Sequence, residues 1–294
     1  MLSRRILLSF VVVIGCDRNV ESAGNHDTQI NLDAGVVRYS DPEIQASVQP
    51  QISSAAAEAK PDANLFRCPI ESRLVGAGSY TLGIRPSELE AQDPLPRKQY
   101  LLATPICVDE SEVTVRSYET CVVAGACKVP SNGAYCNYGK SAKSNHPVNC
   151  ITRDQARTYC QYMGKRLPRE EEWEAAARGL GELSSPFAGE GLKLPSIARS
   201  YCINRGPSEG TCPVNEVPFE GGNNLRGLSG NVREWTESTM CENDSCPTLG
   251  VVRGGASSVF LYSSVAYAAR HSTDPRDVSP RIGIRCVAEL HTTR

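Results

Sequence analysis

Thirteen cysteines in 294 residues are the side chains of this protein with the widest chemical range. Sulfur can bind soft metals, carry electrons or close disulfides, and spacing and compartment decide among them. No C-x-x-C occurs, so neither a zinc ribbon nor a thioredoxin-type redox pair is spelled out. The count is odd, so one sulfur needs a separate role. Carboxylates are the second resource: Glu170, Glu171 and Glu172 run together, and Glu234 sits inside Gly230-Asn231-Val232-Arg233-Glu234-Trp235-Thr236. The four histidines, at 26, 146, 271 and 291, show no paired ligand spacing, and His146 and His271 read as structural or solvated. A net charge of −2 with no Lys/Arg-rich run means that a nucleic-acid partner is not expected. The hydrophobic share of 40% and 24 glycines are those of an ordinary globular chain.

The odd cysteine has an address. Arg4-Arg5, an apolar run from Ile6 to Ile14 too short to span a bilayer, and Val13-Ile14-Gly15-Cys16 follow one another. This resembles a bacterial lipoprotein signal, which implies a signal peptide over 1–15, lipidation of Cys16 and export. Asp17 resembles the residue that retains some lipoproteins at the inner membrane. The chain is therefore expected on the cell envelope, lipid-anchored at the periplasmic face of the inner membrane or at the outer membrane. Twelve cysteines remain for an oxidising compartment, enough for six bridges.

The elements that position these residues begin late. Residues 16–65 are rich in Asn, Asp, Ser, Gln and Ala, hold no cysteine beyond Cys16, and read as a disordered tether. A free coil of about 47 residues has an end-to-end distance on the order of 35–40 Å. Residues 66–290 carry all other cysteines and both tryptophans. Short strands are predicted at Gly78–Gly83, Ile106–Val108 and Val251–Gly255. A helix should start at the Thr152-Arg153-Asp154-Gln155 capping box and stop at Gly164. Another should follow with Pro168 in its first turn and end at Gly179, and a third should run from Thr114 to Val123. Much of the remainder reads as loop, and loops order many residues for little buried apolar surface. Disulfide bracing fits that need.

Three segments recur in an order that goes beyond composition. These are His146-Pro147-Val148-Asn149 leading to Gly164-Lys165-Arg166-Leu167-Pro168-Arg169-Glu170-Glu171-Glu172-Trp173-Glu174; Gly230 to Thr236; and Arg253-Gly254-Gly255 with Gly283-Ile284-Arg285-Cys286. Together they resemble the formylglycine-generating enzyme, or sulfatase-modifying factor, family across nearly all of residues 75–288. The resemblance implies an α+β, elaborated C-type-lectin-like fold, loop-rich and disulfide-braced. It also implies a helix-to-last-strand disulfide between Cys160 and Cys286. Local pairs are expected for the rest: Cys121 with Cys127, Cys241 with Cys246, Cys202 with Cys212, Cys136 with Cys150, and Cys68 with Cys107.

Family chemistry is a separate matter. The enzymes oxidise a cysteine of a sulfatase segment to formylglycine with oxygen and copper(I) held by two thiolates lying between the Arg-Gly-Gly strand and a following Ala-Ala-Arg. Here the interval Ala256 to Tyr267 contains no cysteine. Counting from either end places Val259 and Ser264, or Ser257 and Tyr262, at the two sites, and hydroxyls are poor partners for Cu(I). Copper is therefore not expected. Ala256 stands for a pocket serine, and Arg233 for a pocket tryptophan. Iron-dependent relatives would need a further helical domain with clustered histidines, and the tether occupies its place.

The resemblance also implies a structural calcium site, with Glu234 as carboxylate ligand and Gly230 and Val232 as carbonyl donors, the hard oxygens that calcium takes. Gly227 replaces the remaining side-chain ligand, so either water completes the site or Glu234 satisfies local backbone N–H groups. The function expected is a membrane-anchored, non-catalytic binding or recognition module for a protein, peptide or glycan, with Arg233, Ser257, Ser258, Tyr262, Ser264 and Arg270 as groove residues. The alternative is a formylglycine-generating oxidoreductase, or a divergent enzyme, acting on a sulfatase-type protein.

Overall fold

A computed structural model describes residues 68–83, 97–180, 202–203, 210–241, 248–257 and 267–290. The signal peptide, Cys16 and the tether lie outside the described residues, as do Ser258, Tyr262 and Ser264. By compactness the chain divides into Met1–Lys60 and Pro61–Arg294, and every described residue belongs to the second unit.

Strand β1 (Ser72–Val75), β2 (Gly78–Leu82), β3 (Lys98–Leu102) and β4 (Ile106–Asp109) open the chain. Helix α1 (Val115–Val123) follows, then α2 (Arg153–Tyr162) and α3 (Glu170–Arg178). The later strands are β5 (Phe219–Glu220), β6 (Leu225–Arg226), β7 (Arg233–Met240), β8 (Leu249–Arg253), β9 (Arg270–Thr273), β10 (Ile282–Gly283) and β11 (Val287–Glu289). They form a three-stranded sheet in the order β1-β4-β11, a four-stranded sheet β10-β7-β8-β9, and the two-stranded pairs β2-β3 and β5-β6. This mixed, loop-rich arrangement is the α+β fold class anticipated from the motifs.

Local chemistry explains the helix starts. In α2 the Gln155 backbone N–H donates to Thr152 Oγ1 at 3.2 Å, and the Thr152 N–H donates to Gln155 Oε1 at 2.9 Å, the reciprocal capping box. Helix α1 is capped by Thr114, whose hydroxyl accepts from the Ser117 N–H at 3.1 Å. For α3 the cap is Arg169, so Pro168 lies before the first turn and not within it. The Arg169 N–H is satisfied by the Glu172 carboxylate at 2.8 Å, and the N–H of Glu170, the first helical residue, donates to Ser238 Oγ at 2.9 Å, so no proline is needed there to remove an orphan donor. The expected strand at Val251–Gly255 runs instead over Leu249–Arg253, because Gly254 at φ +86° turns the chain out of extended backbone.

Strand β7 divides the core by its period of two. Trp235 faces Tyr118, Ile151, Tyr159, Val252 and Ile284 beside α1 and α2, while Trp173 and Ala175 to Ala177 of α3 pack with Tyr80, Leu82, Val108, Leu225 and Tyr267 on the other side. Five disulfides brace these layers: Cys68–Cys107, Cys121–Cys127, Cys136–Cys150, Cys160–Cys286 and Cys202–Cys212. Cys241 is also disulfide-bonded, its partner lying outside the described residues. So many bridges mark a chain made for an oxidising, extracytoplasmic compartment. Among the described residues no helix is long and apolar enough to cross a membrane.

Candidate functional site

Glycines bring the three motifs into one place. A Cβ on Gly255 would lie 1.9 Å from the Ser229 carbonyl oxygen, and the Gly255 N–H donates to Leu228 O at 3.1 Å. The Arg-Gly-Gly turn therefore touches the Gly230 loop backbone to backbone. A Cβ on Gly283 would meet Val148 O at 2.7 Å and Val232 Cγ2 at 2.8 Å, which joins the third motif to the first two. Asn149 fixes the first: its Oδ1 accepts from the Asn137 N–H at 2.7 Å, and its Nδ2 donates to Pro280 O at 2.7 Å.

Behind this junction runs a buried set of ion pairs. Glu234 is fully buried, and both its oxygens accept from Arg285, Nε to Oε2 at 2.9 Å and Nη2 to Oε1 at 2.7 Å. Trp173 Nε1 donates to Glu234 Oε2 at 2.6 Å. On α3, Glu174 accepts from Arg178 and from Arg253, each at 2.7 Å, and Arg253 also donates to Tyr267 O at 2.7 Å. Arg270 pairs with Glu170 at 3.0 Å. Each buried carboxylate here meets a guanidinium, the condition under which buried charge is tolerated.

One carboxylate is different. Glu112 is 1% exposed; its oxygens make no hydrogen bond of ordinary geometry, and the Asn231 side chain is the polar group that acts on them. Burial pushes its pKa up to about 8; Arg285 opposes the rise and Glu234 adds to it. A Cβ on Gly227 (φ +77°) would fall 2.3 Å from Glu112 Oε1 and 2.4 Å from Oε2. The carboxyl of Glu112 thus occupies the place where a Gly227 side chain would begin, so the oxygen that glycine cannot offer is brought by another element.

These facts bear on the metals implied by the resemblance. Every described cysteine is disulfide-bonded, so the described residues offer no thiolate and do not fit copper(I). Among them no cluster of three or more His, Cys, Asp or Glu could hold a metal. A calcium ion would need backbone carbonyls, and Glu234 already serves Arg285 and Trp173. Glu112, whose oxygens make no ordinary hydrogen bond, is the carboxylate that fits such an ion.

The proposed groove residues separate. Ser257 is buried, with its backbone N–H donating to Asn231 O at 2.9 Å, so it braces the floor and lines no open groove. Arg270 is half-buried and committed to Glu170. Arg233 is half-buried with no side-chain acceptor, and its Nε is a buried unpartnered donor. Burial, then Arg281, lowers its pKa to about 10. Close by, His271 keeps a buried, unpartnered Nε2. Sequence reasoning missed Glu112 and Arg281: a buried glutamate reads like a surface one, and Arg281 looks like loop. Arg285 and Arg253 were in view as motif letters without their pairing role.

The profile of the sulfatase-modifying factor enzyme 1-like domain matches residues 56–290. The mouse formylglycine-generating enzyme is 33% identical over 173 residues, covering 50% of this chain and 45% of that protein. The cattle inactive C-alpha-formylglycine-generating enzyme 2 is 33% identical over 162 residues, covering 51% and 52%. The match thus spans about half the length of these curated relatives. Among solved structures, PvdO from Pseudomonas aeruginosa superposes with a TM-score of 0.63 at 23% identity, covering 74% of this chain and 93% of that one. Fold, motif junction and profile agree that the chain belongs to the sulfatase-modifying factor enzyme 1-like family.

Proposed function

We propose that this chain is a non-catalytic member of its family: an exported module, lipid-anchored to the cell envelope through Cys16, whose groove recognises a protein, peptide or glycan. The observation that carries the reading is the interval from Ala256 to Tyr267, which holds no cysteine, together with the disulfide bonding of every described cysteine elsewhere. The inactive relative in cattle supports it by showing that loss of activity has precedent in the family. Copper-loaded protein incubated with a sulfatase-type cysteine peptide should leave the peptide mass unchanged; mass loss from thiol-to-aldehyde oxidation would establish the enzyme reading instead. For the anchor, Cys16→Ser should move the chain from the membrane fraction to the soluble one, and no change in partitioning would sink it.

A second reading concerns stability. A structural calcium held by Glu112, with the carbonyls of Gly230 and Val232, is favoured by the Glu112 oxygens beside Gly227, which make no ordinary hydrogen bond. Such an ion would neutralise the excess carboxylate where Glu112 and Glu234 share Arg285. Calcium should raise the melting temperature of the wild type and leave Glu112→Gln unaffected; equal responses would remove the ion from this site.

A further inference from the structure

Arginines that are buried or half-buried in this protein come with acceptors. Arg285 has Glu234, Arg253 and Arg178 share Glu174, Arg270 has Glu170, Arg166 has Glu172, and Arg73 and Arg226 have Glu110. Arg153 donates to the Thr236 carbonyl at 2.9 Å, and Arg157 pairs with Glu237 and Asp154. Among the described residues Arg233 is the exception.

Its position is set by the sheet. Arg233 opens β7 two residues before Trp235, so both lie on one face. Trp235 pairs with Val252, and Val252 pairs with His271, which extends that face to the edge strand β9. On the other side β10 runs parallel, with Ile282 opposite Arg233, and the Arg233 N–H donates to Arg281 O at 2.8 Å. The charged groups acting on Arg233 and His271 are cationic throughout: Arg281 on the first, Arg233 and Arg253 on the second. Two buried nitrogens, the Arg233 Nε donor and His271 Nε2, are left without hydrogen-bond partners. Arg233 and His271 are half-buried as residues and Arg281 is exposed, so a ligand can reach the outer atoms of this cluster, while Arg233 Nε and His271 Nε2 themselves stay covered.

We propose that Arg233, Arg281 and His271 form a carboxylate-binding site, which takes an acidic group of a peptide ligand. The inference rests on reading the groove as a binding surface and supplies its ligand class. A guanidinium presents parallel donors that match the two oxygens of a carboxylate, and a half-buried cation without a counterion gains most from one that arrives with the ligand. Carboxylate binding would supply Arg233 with the counterion that the other buried and half-buried arginines among the described residues find in a carboxylate or carbonyl of the chain.

The test uses the purified full-length chain at low ionic strength, with three blocked tripeptides as probes: acetyl-Gly-Glu-Gly-amide, its Gln counterpart, and acetyl-Gly-Gly-Gly with a free C-terminus. The Glu peptide should bind at least about tenfold more tightly than the Gln peptide, and Arg233→Gln should erase that ratio. His271, whose pKa burial and then Arg233 and Arg253 hold down to about 4, should titrate higher by ring NMR when the Glu peptide is bound. Comparing the Glu and free-terminus peptides separates a side-chain carboxylate from a chain end. Arg233→Lys, which keeps the charge but loses the fork, should retain part of the preference and controls for folding. Equal binding of Glu and Gln peptides, a ratio unchanged in Arg233→Gln, or tighter binding of inorganic sulfate than of the Glu peptide would each overturn the site. Copper-dependent conversion of a cysteine peptide would overturn the binding-module reading alone, because the Glu-to-Gln ratio is read without it.

Discussion

The two faces of the β10-β7-β8-β9 sheet treat arginine in opposite ways. Towards α3 every guanidinium has a carboxylate: Arg285 and Trp173 close off Glu234, and Arg253 reaches Glu174 and Tyr267 through Nη2, although its Nε and Nη1 stay unbonded. On the other face, at its margin, Arg233 and His271 carry nitrogens without a hydrogen-bond partner among the described residues. The first arrangement is what a folded chain needs in order to bury charge; the second is what remains when a surface is built for something outside it. Position 233 holds the contrast most sharply, because its neighbour at 234 is among the most completely satisfied side chains in the protein.

The largest effect should come from breaking the closed face. Glu174→Ala strips Arg178 and Arg253 of their shared carboxylate and should cost about 3–5 kcal/mol of unfolding free energy by denaturant titration, because Arg253 is 0% exposed. A cost below about 1 kcal/mol would mean that the network relaxes easily and the contrast is overdrawn. Calcium comes next. At calcium well above its dissociation constant the wild type should gain about 1–3 kcal/mol, read as a rise of roughly 2–4 °C in Tm per kcal/mol, and Glu112→Gln should gain nothing.

The pH dependence of the open face is smaller. His271 titrates at about 4 in the fold against an ordinary 6.5, so between those values the unfolded chain binds the extra proton. Its contribution is complete above pH 6.5 and lost as pH falls towards 4, at most about 3 kcal/mol and less where solvent screens the half-buried ring, a loss that His271→Gln should abolish in a comparison of unfolding at pH 7 and pH 4. Arg233→Gln should change stability least, within about 0.5 kcal/mol or in the stabilising direction, since it removes a cation that has no partner. Clear destabilisation by Arg233→Gln would show that the guanidinium is structural and would erase the distinction between the faces.

Much of the fold was legible because its signals are local. Thr152 with Gln155, Thr114 before α1, and the glycines at 164 and 179 are punctuation readable within a few residues. Four of the bridges were legible as local pairs once export made oxidation the expectation, whereas Cys160–Cys286, 126 positions apart, came from the family resemblance. Strand β7 was not read as a strand, since both of its faces are buried at the start, with Glu234 on one and Trp235 on the other, and no apolar period survives. The site was legible as motif letters and illegible as charge balance. Glu112 lies over 100 residues from Gly227 in sequence, and only the folded chain shows that one fills the room the other leaves. Arg233 was singled out for standing where a related enzyme has tryptophan, yet its lack of a counterion depends on β9 and β10.

The Cys160–Cys286 bridge joins α2 to the segment between β10 and β11 across 126 positions of sequence. Beside it, β11 pairs with β4, and Arg285 reaches back to Glu234 and to the Asp109 carbonyl. The segment from Ile282 to Glu289 therefore completes both the three-stranded and the four-stranded sheet and supplies the guanidinium that neutralises the buried Glu234. A chain cut short before position 282 would still close its small cysteine loops at 121–127 and 136–150, but Glu234 would keep only the Trp173 N–H and lose its guanidinium. Closure of the fold thus hangs on the few residues from Ile282 to Val287, which carry a disulfide, a strand pairing and a buried ion pair at once.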